Sequence, residues 1–439
     1  MAEAAGPPPG RPVSLVGEVA ALRTGRPGLA EHVDRLCHRI DRRGPVLHAF
    51  VSEPGRRDRL HAEARALEAA FPAAGGARPA LFGAAVGVTD VVRVDGLPTH
   101  AGSALPPGVL AGRQAGLVGR LRAAGALVAG KTATAEFGLT ALGPTGDPHD
   151  PGGSGGGSAV AAGLVPLAVA VRSVGSVIRT AACCGVVGFR PTYGRIPLDG
   201  VIVTAPSLDT AGVFTADAVS AALAASVLCD DWRPPAAGSV RPVLGVPVGP
   251  YLDRVRPQAA AAFEARLALL EEAGLTVRRV ALVPDPQEVA RHLRTLVRFE
   301  AAQVHADWFA RFGGLYRHET AAVLRHGRET DPDDYLAALR ARSQLRELIA
   351  GVTLRAGVDL WLTPAGAGPA SSAPDGTEDA DDTETSLPWA YAGLPAVSLP
   401  TGRQADGGLS SGLQCVAAAG ADERLLGWAL ALEGAPVAG

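Results

Sequence analysis

The chain has 439 residues, 47% hydrophobic and 19% charged, enough to bury a large core as one big α/β domain or two modest ones. A net charge of -3, from 41 basic and 44 acidic side chains, argues against electrostatic capture of nucleic acid or of an anionic membrane. The five cysteines, Cys37, Cys183, Cys184, Cys229 and Cys415, are odd in number and contain no CxxC pair, which points away from a disulfide framework or a zinc site.

Residues 1–12 are rich in proline and glycine and read as a flexible tail ahead of a single domain over 13–439. They lack the charged-then-apolar pattern of a secretion signal. No run of about 18 apolar residues is uninterrupted, so a cytoplasmic protein without a membrane span is expected. Apolar residues from Leu15 to Ile40 recur at helical spacing, and Gly25-Arg26-Pro27 divides them into two helices. Residues 81–94 read as a buried strand and turn, 117–127 as a helix and 126–130 as a short strand. The apolar run 163–171 fits a strand buried on both faces. Strands are expected over 241–248 and 276–283, flanking a helix over 258–273 that Gly274 stops. Residues 286–356 are mostly helical by pattern, and 360–363 and 396–400 read as core strands. Between them, 366–386 is rich in small and acidic residues and reads as an exposed loop. Strands interleaved with helices predict an α/β layered architecture.

Six segments carry a more specific signal: VDGLPTHAGS (94–103), GKTATAEFG (130–138), CGVVGFRPTYGRI (184–196), SLDTAG (207–212), AGLPAVSLPTG (392–402) and SGLQ (411–414). Together with PGGSGGGSA (151–159) they resemble the amidase signature family, whose members cleave amides with a serine nucleophile, a second serine on a cis peptide and a lysine base. The resemblance implies a mixed, many-stranded twisted sheet surrounded by helices. The family pattern PLALGxDTGGSIRxPAAFCG lies over 166–185 without a gap and puts the nucleophile on Ser176. Backbone N–H groups of Ser173, Val174, Gly175 and Ser176 would then stabilise the oxyanion of a tetrahedral intermediate. PGGSSGGSA puts the second serine on Ser154, although a stretch two residues shorter than usual leaves Ser158, or a glycine, open for that position.

The departures bear on activity. VAVKD of the family reads VGVTD at 86–90, so Thr89 stands where the lysine belongs. A threonine hydroxyl has no basic form near neutral pH and cannot serve as terminal base. Lys131, the chain's only lysine, matches the separate GKT lysine of the family and is expected to lie away from Ser176. The aspartate of DTGGS becomes Arg172, which reverses a charge, and its first glycine becomes Val174, which restricts φ in the oxyanion turn. The arginine of SIR shifts to Arg179.

His100, Arg172, Trp389 and Tyr391 are the expected substrate-lining residues, with Arg172 favouring an anionic ligand and pairing with a carboxylate such as Asp90. Arg190, Cys183 and Cys184 read as structural. The glycine run lacks GxGxxG or GK[ST], which argues against a nucleotide. Two functions are compatible with these residues. One is an amidase-like enzyme that uses Ser176 on an acyl or amide-like small molecule by a non-standard route: hydrolysis, acyl transfer or cyclisation. The other is a catalytically silent homologue that binds a small molecule or a partner protein. Neither needs a metal or cofactor, and a homodimer is allowed.

Overall fold

The protein is described here from a computed structural model that covers residues 11–72, 77–139, 155–234, 241–253, 255–283, 285–366, 385–403 and 410–434. Ser154, the first ten residues of the tail and most of the acidic stretch, 367–384, lie outside the described residues.

Three helices come first: α1 (Leu15–Arg23), α2 (Leu29–Leu47) and α3 (Arg56–Ala70). Strands and helices then alternate through β1 (Ala85–Thr89), α4 (Gly116–Ala123), β2 (Leu127–Thr132), α5 (Gly155–Ala161), β3 (Leu167–Arg172), α6 (Ser176–Cys184), β4 (Val187–Arg190), β5 (Thr210–Thr215), α7 (Ala218–Leu228), β6 (Leu244–Val248), α8 (Pro257–Glu272) and β7 (Val277–Ala281). A helical stretch follows, α9 (Pro286–Val304), α10 (Ala306–Phe312), α11 (His318–Glu329) and α12 (Pro332–Ala356). The chain closes with β8 (Leu360–Pro364), α13 (Leu387–Ala392), β9 (Ala396–Arg403), β10 (Ser410–Val416) and α14 (Asp422–Glu433).

All ten strands belong to one mixed sheet in the order β2-β1-β3-β5-β4-β9-β10-β8-β6-β7. β2, β1 and β3 run parallel at one end and β8, β6 and β7 at the other, while antiparallel pairs fill the centre. Central strands are buried along their length, as side chains covered by helices on both faces require. One face of β1 and β3 gives Val86, Val88, Leu167 and Val169 to a core shared with α4 and α7. The opposite face gives Ala85, Ala168 and Ala170 to a core shared with α2, α3, α5 and α6. Small residues on that second face let α5 and α6 approach the sheet closely.

Local signals set the helix ends. Asp285 and Asp331 cap α9 and α12 by accepting from backbone N–H groups, each just ahead of a proline in the first turn. The α1–α2 break falls where glycine and proline foretold it, with Gly25 at φ 75°. The helix expected over 117–127 stops earlier, because the chain leaves it through Gly125 at φ 86° to enter β2. β4, β5 and β10 were not anticipated: β4 and β5 are short and buried on both faces, which leaves no alternation to read, and β10 is partly buried over its first three residues and buried over the rest.

Candidate active site

The parallel trio β2, β1 and β3 ends at Thr132, Thr89 and Arg172, so these three residues mark one edge of the sheet. Crevices at the carboxyl ends of parallel strands are where open α/β sheets place their ligands. After β3 the chain turns through Ser173, Val174 and Gly175 and enters α6 with Ser176 as its first residue. A helix N-terminus leaves N–H groups without intrahelical acceptors and carries partial positive charge. Ser176 is therefore placed beside donors suited to a developing oxyanion.

Gly175 adopts φ 81°, and a Cβ there would sit 2.7 Å from Ser386 Oγ, so both conformation and space call for glycine. Val174 is not among the non-glycine residues with positive φ and packs partly buried against an apolar cluster that includes Trp389. The valine is thus accommodated in ordinary backbone, and the φ restriction expected from it does not fall on the left-handed position. Ser386 is buried against this turn. Sequence reading missed it because it ends a stretch that looks like featureless acidic loop.

Register separates the candidate groups by face. Thr89 pairs with Thr132, and Val88 with Lys131. Laterally paired residues share a face and successive residues alternate, so Lys131 points to the side opposite Thr89. There it is 3% exposed, with Nζ 2.7 Å from Asp90 Oδ1 and 3.1 Å from Thr99 Oγ1. Burial lowers the Lys131 pKa, and the Asp90 carboxylate opposes that shift. Asp90 Oδ2 also accepts from the His100 N–H. Asp90 thus serves the lysine and the segment carrying half-buried His100, where a pairing with Arg172 was expected.

The face that carries Thr89 also carries Ala168 and Ala170, and by alternation Arg172, whose Nη1 donates to Gly138 O at 3.4 Å. α5 and α6 cover this face. Ser176 Oγ, Ser158 Oγ on α5 and Thr132 Oγ1 on β2 are each buried without a hydrogen-bond partner among the described residues. The run Gly155–Gly157 is the buried start of α5 rather than a loop. A Cβ at Gly157 would meet Thr180 Cγ2 at 2.5 Å, so α5 packs on α6 through that glycine.

On the other side of the turn, Ser173 Oγ donates to Asp209 Oδ1. Asp209 Oδ2 accepts from the N–H groups of Thr204 at 2.7 Å and Ala205 at 3.3 Å. Burial pushes the Asp209 carboxyl up to about 6, while these three hydrogen bonds pull the other way.

Trp389 and Tyr391, expected to line an apolar pocket, are each 1% exposed and packed in the core. Trp389 donates from Nε1 to Tyr251 Oη at 2.9 Å and lies against Trp361, and Tyr391 donates to Ala338 O. Arg190 is buried as a structural brace, donating to Leu394 O and Ala390 O. Cys183 is buried and Cys184 partly so. A cavity of about 40 Å³ lies between α6, α8 and the β8–β10 strands, lined by Cys183, Phe263, Arg266 and Ser411 among others. It adjoins the C-terminal end of α6, roughly 10 Å along the helix from Ser176. Among the described residues no cluster of His, Cys, Asp or Glu could hold a metal ion, and no helix is long and apolar enough to cross a membrane.

The amidase family model matches residues 31–426. A glutamyl-tRNA(Gln) amidotransferase subunit from Thermus thermophilus is 32% identical over 473 aligned positions, covering 94% of this chain and 95% of that protein. Its counterpart in Deinococcus radiodurans is 31% identical, covering 85% of this chain and 88% of the relative. Among solved structures, an amidase superposes with a TM-score of 0.84 at 30% identity, covering 96% of this chain and 99% of the other. The native peptide amidase of Stenotrophomonas maltophilia gives 0.78 at 25% identity, covering 96% of each chain.

Proposed function

We propose that this chain, which belongs to the amidase family, uses Ser176 to attack the carbonyl of an acyl or amide-like small molecule, without a lysine at the site. The observation that carries the reading is the position of Ser176 Oγ: first residue of a helix, buried, and without a hydrogen-bond partner among the described residues. Attack by Oγ on the carbonyl carbon forms a tetrahedral intermediate. Backbone N–H groups of Ser173, Val174, Gly175 and Ser176 would take its negative charge. The Ser176 proton must reach the leaving group as the acyl bond breaks, leaving an acyl-enzyme for water or another nucleophile to resolve.

In the family pattern a lysine drives that proton transfer. Here Thr89 can only pass a hydrogen bond on, so the path runs through hydroxyls and water, with Ser154 in the second-serine role and Ser158 as its alternate. A relay without a strong base is slow for amides, whose leaving groups need protonation, and better suited to activated acyl groups or to acyl transfer. His100 and Arg172 belong to the substrate side of this reading. The relatives are named as subunits of an amidotransferase, so a protein partner for this chain is part of it.

Turnover of an activated aryl ester tests the proposal. The parent should hydrolyse it with a burst of one acyl-enzyme per chain, and Ser176→Ala should remove both burst and turnover. Equal rates in parent and Ser176→Ala would leave a ligand-binding homologue as the better account.

A further inference from the structure

The turn that presents Ser176 has a second, hidden support. Ser173 lies three residues before Ser176, and its hydroxyl donates to Asp209, on the segment between β4 and β5. Asp209 is buried and holds three donors: Ser173 Oγ on one oxygen, Thr204 N and Ala205 N on the other. The charged groups whose fields reach it are Glu300 on α9 and Arg190 on β4.

We propose that Asp209 is a positioning residue for this site: through Ser173 it clamps the turn 173–176, so that the backbone donors and the Ser176 hydroxyl are held in one arrangement. The proposal rests on the reading of Ser176 given above but concerns a different pair of residues.

The donor pattern requires Asp209 to be a carboxylate for the clamp to close fully. Each of its three hydrogen-bond partners donates to it, so the ionised form is satisfied at both oxygens. A protonated Asp209 needs an acceptor for its own O–H, and the one candidate among its three partners is Ser173 Oγ. Ser173 must then turn from donor to acceptor, and a charge-assisted hydrogen bond becomes a neutral one of about half the strength. The carboxyl is pushed up to about 6 by burial, so the change falls in an accessible range.

The linkage has an opposite sign to the clamp. Between the ordinary value of 3.8 and about 6 the folded state keeps a proton that the unfolded chain has released. Asp209 therefore lowers global stability as pH rises through that window, while the turn becomes more ordered.

Amide order parameters of Val174 and Gly175, measured by NMR on the full chain, test the clamp without relying on activity. The parent should be rigid at pH 7.5, at about 0.85, and should fall as pH drops through about 6. Ser173→Ala should be mobile at both pH values, below about 0.6, and Ser173→Thr should behave as the parent. Asp209→Asn should match Ser173→Ala, and if it does not fold, the two Ser173 variants decide. Unchanged order parameters in folded Ser173→Ala would overturn the proposal. Fluorophosphonate reactivity at Ser176, measured alongside, separates the two readings. An unreactive parent with an intact clamp effect refutes the role of Ser176. A reactive parent whose turn stays rigid in Ser173→Ala refutes the role of Asp209.

Discussion

At the scale of single residues, the pair Lys131 and Asp90 decides how the site is read. Lys131 was separable in sequence from the position where the resemblance puts the family's lysine, because Thr89 sits in the VGVTD segment and Lys131 in a different one. Its partner was not legible, since a buried ion pair leaves no spacing signal between residues 41 positions apart. Lys131 leaves β2 on the face opposite Thr89, so in the proposed reading it does not act as a base beside that position. Breaking a buried pair from one side strands an uncompensated charge. Lys131→Met should therefore cost about 3–5 kcal/mol by chemical denaturation. The double variant Lys131→Met with Asp90→Asn should recover most of that loss. Equal losses in the single and double variants would mean that the pair does not act as a unit. Asp209 and Ser386 were invisible in a different way: one lay in a segment matched only as a family motif, the other at the end of an acidic stretch.

At the scale of elements, the glycines of the 151–159 segment carry the lesson. Such a run is a poor helix former, because each glycine weakens a helix by about 1 kcal/mol. Close packing overrides that preference: Gly155, Gly156 and Gly157 form the buried first turn of α5 against β3, β5 and α6. A Cβ at Gly155 would press into Ala49 O and lie 2.8 Å from Ala133 N, both backbone atoms that cannot rotate away. Gly155→Ala should then destabilise the protein by about 1–3 kcal/mol through overpacking, read from the denaturant midpoint. The same variant should slow acylation of Ser176, since α6 rests on α5. A midpoint equal to the parent's would show that the segment has room the packing does not suggest. Where periodicity was strong and a glycine stop followed, as in α8, the helix was legible to within a residue, whereas 286–356 was legible only as helical and not as four separate helices. In β4 and β5 burial on both faces erased the alternation that announces a strand.

At the scale of the molecule, one mixed sheet brings distant motifs to one edge. Thr89, Thr132 and Arg172 end neighbouring parallel strands, and Ser176 follows directly from the third of them. The outer strands are guarded in different ways. β2 is bridged by Phe50 and covered by α3, while β7 exposes Arg278 and Arg279, charges that discourage pairing with another chain. The amidase architecture was legible from ordered motifs spread across the chain, and the family match over 31–426 agrees with it. The chemistry was less legible, because it depends on which hydroxyls and charges share a face, and only the register supplies that. The central claim is a serine site that works without a lysine. Intact-mass and peptide mapping after treatment with a fluorophosphonate tests it most directly. The account predicts one adduct per chain, on Ser176, absent in Ser176→Ala and retained in the folded variant carrying Lys131→Met and Asp90→Asn. No adduct on Ser176 in the folded parent, or an adduct that disappears with Lys131, would contradict it.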